Sequence, residues 1–354
     1  MRDLHGIPQH LRHSDFAEAR RGFADISNFV LAQHREGAVL GYRYPGQFKD
    51  HIIPGADGER IAASIALQEA PRPGLIVVHG LFTNSRFDYV RQIAVHAFYE
   101  WGFNVAALDL RSFGMTELTT PAPSTAGWKE GLDILALARY LKELGATSVG
   151  ALGISLGGSA VVNACDYDEA AVVLDGGILA VSPPAVPKLA WERLSEPVPR
   201  GHPRYALHRA LEAALISRVR SGRWPPEAEN MLRAMEVVSA PYYQLDADQI
   251  WSNSRGLDRV PDSKVPLLVL HPEDDPIVKV EHARMLADAA KDNDLVRVWI
   301  LPTGGHGLLE AADPRWTHAV YRTFFERWAT YAERTVGRPT GEGHELVYSS
   351  QEPG

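Results

Sequence analysis

The run Gly153-Ile154-Ser155-Leu156-Gly157-Gly158 sets one serine among glycines where a strand-like segment, Thr147 to Leu152, gives way to the helix-compatible Gly158 to Asn163. The serine must take a sharp, strained bend with its Oγ exposed, and the glycines let neighbouring backbone pass where a Cβ would collide. Ser155 is therefore a candidate nucleophile. Plain glycine-rich strand-to-helix turns share this pattern, so its surroundings decide the reading.

Three other segments fall where such a nucleophile would need them. Upstream, Leu75-Ile76-Val77-Val78 is short, apolar and β-branched, as a fully buried strand should be, and it ends in His79-Gly80-Leu81-Phe82. A tetrahedral intermediate needs two preorganised backbone N–H donors. One is expected from Leu156, after the serine, and one from the loop after the earlier strand, Leu81 or alternatively Phe82. Downstream, Val265 to Leu270 reads as another buried strand running into His271-Pro272-Glu273-Asp274-Asp275-Pro276, where one acid is placed to orient a histidine. A helical stretch from Glu281 to Ala290 and a strand from Leu295 to Leu301 then lead to Gly304-Gly305-His306-Gly307. One helix and one strand between acid and histidine put both loops at the same edge of a parallel sheet.

The chain order serine, acid, histidine, with an elbow and a His-Gly loop before it, resembles the α/β-hydrolase superfamily from about Asp57 onward. Leu108-Asp109-Leu110-Arg111-Ser112-Phe113-Gly114-Met115-Thr116 is similar to that family's DxRGxGxS loop, and Ile178 to Pro183 matches the strand after the elbow helix. The resemblance implies Ser155 as nucleophile, His306 as general base and then acid, and Asp275 as the group that fixes the imidazole tautomer. Asp275 is preferred because the family's acid usually follows the strand-end glycine by three residues. Pro272 replaces that glycine here, which leaves Asp274 as second choice and Glu273 as third.

Composition fits an enzyme of this build. The 354 residues are 45% hydrophobic and 23% charged, enough to bury a large core as one α/β domain with an insertion. A net charge of −8 argues against nucleic acid or an anionic membrane surface as main partner. The single cysteine, Cys165, allows no internal disulfide and fits a reducing, cytoplasmic setting. No stretch is long enough to span a bilayer, and Arg20-Arg21-Gly22-Phe23 lacks the apolar core of an export signal. No nucleotide fingerprint or His-Glu-x-x-His motif occurs, so neither cofactor nor metal is expected.

The predicted organisation is an N-terminal extension over 1–50, an α/β core over 51–182 and 264–334, a helical cap over 183–263 and a flexible tail over 335–354. The extension holds an amphipathic helix capped by Ser14, with Phe16, Phe23, Ile26 and Val30 on one face. Val39 to Ala70 predicts an antiparallel edge with turns at Pro45-Gly46 and Pro54 to Gly58. The remaining strands, near 75–79, 103–109, 147–152, 177–182, 265–270 and 295–301, alternate with helices as a mostly parallel sheet requires. After the sixth strand the rhythm stops, and leucines 207, 211 and 215 with several prolines predict the inserted cap. Its aromatic residues, Trp191, Tyr205, Trp224, Tyr242, Tyr243 and Trp251, are candidates to shape a pocket over Ser155.

These residues point to cleavage of an ester or thioester through an acyl-enzyme, with a small-molecule acyl substrate. Serine at the elbow argues against haloalkane dehalogenase and epoxide hydrolase chemistry, which use aspartate there in this superfamily. Acyl transfer, or elimination of acetate in bacterial natural-product biosynthesis, is the second enzymatic class. A non-catalytic ligand-binding homologue is the third. Oligomeric state leaves no signature in the sequence.

Overall fold

Strands apolar on every residue belong in the middle of a sheet covered on both faces, and the computed structural model, which describes residues 43–336 except Pro203, Leu308 and 310–312, places them there. Eight strands form one sheet: β1 (Lys49–Pro54), β2 (Arg60–Ala66), β3 (Gly74–Val78), β4 (Asn104–Asp109), β5 (Val149–Ile154), β6 (Ile178–Val181), β7 (Leu267–Pro272) and β8 (Val296–Leu301). Their order is β1-β2-β4-β3-β5-β6-β7-β8. The first two are antiparallel to their neighbours and the rest are parallel. Every residue of β3 to β7 is buried, whereas edge strand β1 exposes most of its length.

Alternate side chains feed two cores, as the two-residue period of a strand demands. Ile76 and Val78 join Ile134, Leu137 and Leu141 of α2 (Trp128–Glu143), together with Ala160 and Val161 of α3 (Leu156–Asn163). Leu75 and Val77 point the other way, onto Val90, Ile93 and Ala97 of α1 (Asp88–Tyr99). Val320, Tyr321, Phe324 and Phe325 of the 23-residue terminal helix, Pro314–Val336, complete that face. Among the described residues no helix is long and apolar enough to cross a membrane.

Between β6 and β7 the chain leaves the sheet and forms α4 (Pro187–Ser195), α5 (Tyr205–Arg220), shorter helical turns, and α6 (Ala247–Asn253). Helix α7 (Glu281–Ala289) follows β7, and the terminal helix is α8. The amphipathic helix expected around Phe16 to Val30, and nearly all of the expected tail, lie outside the described residues.

Two strands sit two residues later than their sequence suggests. β5 runs 149–154 rather than 147–152, and β7 runs 267–272 rather than 265–270. Thr147 and Val265 are β-branched and Gly153 is a poor strand former, so propensity favours the earlier windows. Packing overrides it. Gly153 pairs with Val78 at the sheet centre, and Pro272 closes β7 opposite Leu301.

Candidate active site

The chain passes from β3 outward to β4 and returns to β5 on the other side of β3. That reversal opens a crevice at the carboxyl ends of β3 and β5, and the serine turn fills it. Ser155 adopts φ 56° and ψ −115°, a conformation that costs a non-glycine residue about 1–3 kcal/mol. The glycines explain how the bend fits. A Cβ on Gly153 would lie 2.1 Å from the Gly157 carbonyl oxygen, and one on Gly157 would lie 2.5 Å from the carbonyl oxygens of Val78 and His79. No other residue type allows helix α3 to start this close to β3 and β5.

The loops after β7 and β8 reach the same edge. His306 Nε2 lies 2.8 Å from Ser155 Oγ, and His306 Nδ1 lies 2.8 Å from Asp275 Oδ2. Asp275 Oδ1 accepts the backbone N–H groups of Ile277 at 2.8 Å and Val278 at 2.9 Å, so the buried carboxylate is held from both sides. The other two acids face elsewhere. Asp274 accepts Thr303 Oγ1 at 2.6 Å and the Gly305 N–H at 2.9 Å, bracing the loop that carries His306, and Glu273 pairs with Arg284 at the surface. Of the three candidate acids, the structure brings Asp275 to the histidine.

Beneath Asp275 lie two histidines that the sequence did not single out. His271 Nε2 donates to the Val278 carbonyl at 2.8 Å and lies 3.7 Å from Asp275 Oδ2. Burial pushes both His271 and His282 below the usual imidazole range, His282 to about 4 with the neighbouring His271 adding to the effect.

The turn after β3 is braced from below. His79 accepts the Leu110 N–H on Nε2 at 3.0 Å, which puts its proton on Nδ1, where it donates to the Gly80 carbonyl at 2.7 Å. Burial keeps this imidazole neutral by lowering its pKa, against an opposing pull from Asp109. The Gly80 N–H donates to the Tyr89 hydroxyl at 2.8 Å. Leu81 follows and lines the cavity, while Phe82 takes a left-handed φ of 55° and Leu156 opens α3.

Above Ser155 and His306 lies a mostly apolar cavity roofed by Ala190, Trp191 and Leu194 of α4 and by Leu211 of α5. The aromatic candidates separate sharply. Trp191 faces this cavity, Trp224 lines a separate, smaller hollow beyond Leu81 and Trp191, and Trp251 packs edge-on to Trp191 at 6.0 Å. Tyr242, exposed at the surface, donates to Glu59, and half-buried Tyr243 donates to the Pro123 carbonyl. Among the described residues no three His, Cys, Asp or Glu side chains come together as a metal site would need.

The profile of the alpha/beta hydrolase family matches residues 75–320. A monoacylglycerol lipase of Saccharomyces cerevisiae is 23% identical over 248 residues, covering 66% of this chain and 54% of the yeast protein, so the match takes in about half of that relative's length. Among solved structures, the Pyrococcus furiosus esterase Pf2001 superposes with a TM-score of 0.60 at 17% identity, over 82% of this chain and 98% of the esterase. Est1E from Butyrivibrio proteoclasticus gives 0.51 at 18% identity, over 79% of this chain and 99% of Est1E. The Pyrococcus horikoshii acylaminoacyl peptidase also gives 0.51, at 15% identity, over 82% of this chain and 42% of the peptidase. These structural likenesses speak to fold alone, but the profile spans more than half of the sequence, and the chain belongs to the alpha/beta hydrolase family.

Proposed function

We propose that the protein hydrolyses esters of small apolar acyl compounds through a serine-bound acyl intermediate. One observation carries this reading: an unbroken Ser155–His306–Asp275 hydrogen-bonded chain on the floor of an apolar cavity. Ser155 Oγ attacks the carbonyl carbon and its proton passes to His306 Nε2. The oxyanion is bound by the N–H groups of Leu81 and Leu156. As the bond to the leaving oxygen breaks, His306 returns the proton to it. Water then attacks the acyl-enzyme by the same path and releases the acid. Asp275, fixed as an acceptor by Ile277 and Val278, keeps the proton of neutral His306 on Nδ1 and steadies the imidazolium that forms. In this reading the insertion between β6 and β7 is a cap, and α4 and α5 decide which acyl compound enters.

The esterase and lipase names of the relatives agree with this reaction class. The test is a panel of p-nitrophenyl esters of increasing chain length, run beside labelling with a fluorophosphonate and mass analysis of products. Label on the Ser155 peptide and release of a carboxylic acid with uptake of one water are the expected results. Absence of both label and turnover would overturn the proposal, and label accompanied by an unsaturated product would replace hydrolysis with elimination.

A further inference from the structure

The turn after β3 carries a closed ring of hydrogen bonds around Gly80. The Gly80 N–H donates to the Tyr89 hydroxyl at 2.8 Å, and Thr83 Oγ1 donates to the Gly80 carbonyl at 2.9 Å. The two hydroxyls lie 3.2 Å apart. A hydroxyl has one proton. Since that of Thr83 goes to Gly80, the Tyr89 proton points at Thr83, and the ring runs in one direction from Gly80 N–H through Tyr89 and Thr83 back to the Gly80 carbonyl.

The carbonyl that receives this ring belongs to the same planar peptide unit as the Leu81 N–H. Fixing the direction of one therefore fixes the other, and donors on the carbonyl polarise the peptide so that its N–H becomes a better donor. Space is tight on both sides of this unit. A Cβ on Gly80 would lie 3.3 Å from Ser155 Cβ and 3.4 Å from the Tyr89 hydroxyl. Thr83 and Tyr89 both line the cavity that holds Ser155. They are among the few polar groups on its walls.

We propose that Tyr89 and Thr83 are positioning residues that preorganise the Leu81 N–H for the oxyanion; this rests on the reading that Leu81 supplies that donor. They act through Gly80 and hold no proton that moves in the reaction. His79 Nδ1 also donates to the Gly80 carbonyl at 2.7 Å, so opening the ring at either hydroxyl loosens the turn around Gly80 without freeing that carbonyl.

The experiment compares Tyr89→Phe, Thr83→Val, Thr83→Ser and the Tyr89→Phe/Thr83→Val double variant in the full chain. Each single change nearly conserves volume, and near-ultraviolet circular dichroism checks folding; if one single variant fails to fold, the other opens the same ring. Tyr89→Phe and Thr83→Val should each lower kcat on a p-nitrophenyl ester by about tenfold, less than the loss on deleting an oxyanion donor outright, with KM within about twofold. The double variant should lose no more than the worse single one, since the ring is already open. Thr83→Ser, which keeps the hydroxyl, should recover most of the loss. Affinity for a boronic acid that forms a tetrahedral adduct should fall by the same factor as kcat/KM, a parallel that loosened packing alone would not produce. If wild type takes the fluorophosphonate label but the folded variants keep kcat within twofold, or their losses multiply, this inference fails while the hydrolase reading stands. If wild type neither labels nor turns over, both fall.

Discussion

Replacing Asp275 by asparagine tests the site more sharply than removing the serine, because the geometry says which way the new amide must face. Asp275 Oδ1 accepts two backbone N–H groups, from Ile277 and Val278, at 2.8 and 2.9 Å. An NH2 group cannot sit opposite two donors, so the asparagine oxygen takes that position and its NH2 takes the place of Oδ2, 2.8 Å from His306 Nδ1. That donor forces the imidazole to accept on Nδ1 and to carry its proton on Nε2, where it can no longer take the proton of Ser155. A triad histidine held in the wrong tautomer loses about 10⁴ in turnover, equivalent to about 5.4 kcal/mol of transition-state stabilisation.

Asp274→Asn should behave differently. Its oxygens receive Thr303 Oγ1 and the Gly305 N–H, and an asparagine oxygen still satisfies one of them. The loop loosens but the tautomer is untouched, so a loss of about tenfold or less is expected, on the scale of a single lost hydrogen bond. Both variants are assayed for kcat on one p-nitrophenyl ester and for the rate of fluorophosphonate labelling, with thermal unfolding as the check on folding. A loss under tenfold for Asp275→Asn, or a larger one for Asp274→Asn, would refute the assignment of the acid.

Ser155→Ala should abolish labelling and lower turnover by about 10⁶ while the fold persists, as in other serine triads; a loss under tenfold would remove Ser155 from the chemistry. Trp191→Ala should shift the kcat/KM ratio between a bulky and a small ester by about 1–3 kcal/mol, since Trp191 alone of the three cap tryptophans faces the cavity above Ser155. Trp251→Ala, behind it, should instead cost about 3–5 kcal/mol of stability and leave the ratio within twofold. His282 is 5% exposed and its pKa falls from 6.5 to about 4 in the folded state. The unfolded chain therefore binds more protons than the native one below pH 6.5, and stability drops as pH falls from there toward 4, by about 3 kcal/mol from this residue. Urea unfolding at pH 7 and pH 4.5 should show the drop, and His282→Gln should flatten it.

Local sequence carried the elbow and the order of the loops because each rests on a steric rule that one residue can break, whereas the ends of β5 and β7 fell two residues off because pairing in the sheet decides them. Gly153 and Gly157, on either side of the serine, announce their geometry by lacking a Cβ where backbone meets backbone. The acid run was different. Glu273, Asp274 and Asp275 are chemically alike, and what separates them is the pair of backbone N–H groups at Ile277 and Val278 that turn one carboxylate inward, a property of the turn rather than of the residue. Tyr89 left no trace for a similar reason: it lies nine positions after Gly80 on a helix, and only the packing of α1 against β3 brings its hydroxyl to the Gly80 N–H. The six cap aromatics looked interchangeable in sequence. Their roles part according to which helix face carries them, so Trp191 lines the cavity while Tyr243 bonds to the core.

The way the insertion is fastened bears on how a substrate could reach Ser155. Arg111, fully buried, makes two hydrogen bonds to Asp133 and one to the Tyr243 hydroxyl, which in turn donates to the Pro123 carbonyl at 2.6 Å. Arg218 of α5 donates to the Ser112 carbonyl at 3.0 Å with its guanidinium 4.8 Å over the Phe82 ring, and Ser239 donates to the Ser124 carbonyl at 2.8 Å. These are buried or half-buried contacts to core backbone, unlike the exposed Arg139–Glu169 pair, which is worth under about 1 kcal/mol. Swinging α5 away would break the Arg218–Glu117 ion pair at 3.4 Å together with the Ser112 hydrogen bond and the contact over Phe82. Helix α4 is tied down more lightly: its polar link to the core is Arg193 to the Pro276 carbonyl at 3.3 Å, and its inner face is apolar. Under the proposed function this asymmetry predicts that α5 stays fixed as a wall of the cavity and that α4, with Trp191 on it, is the side that yields to a larger acyl group.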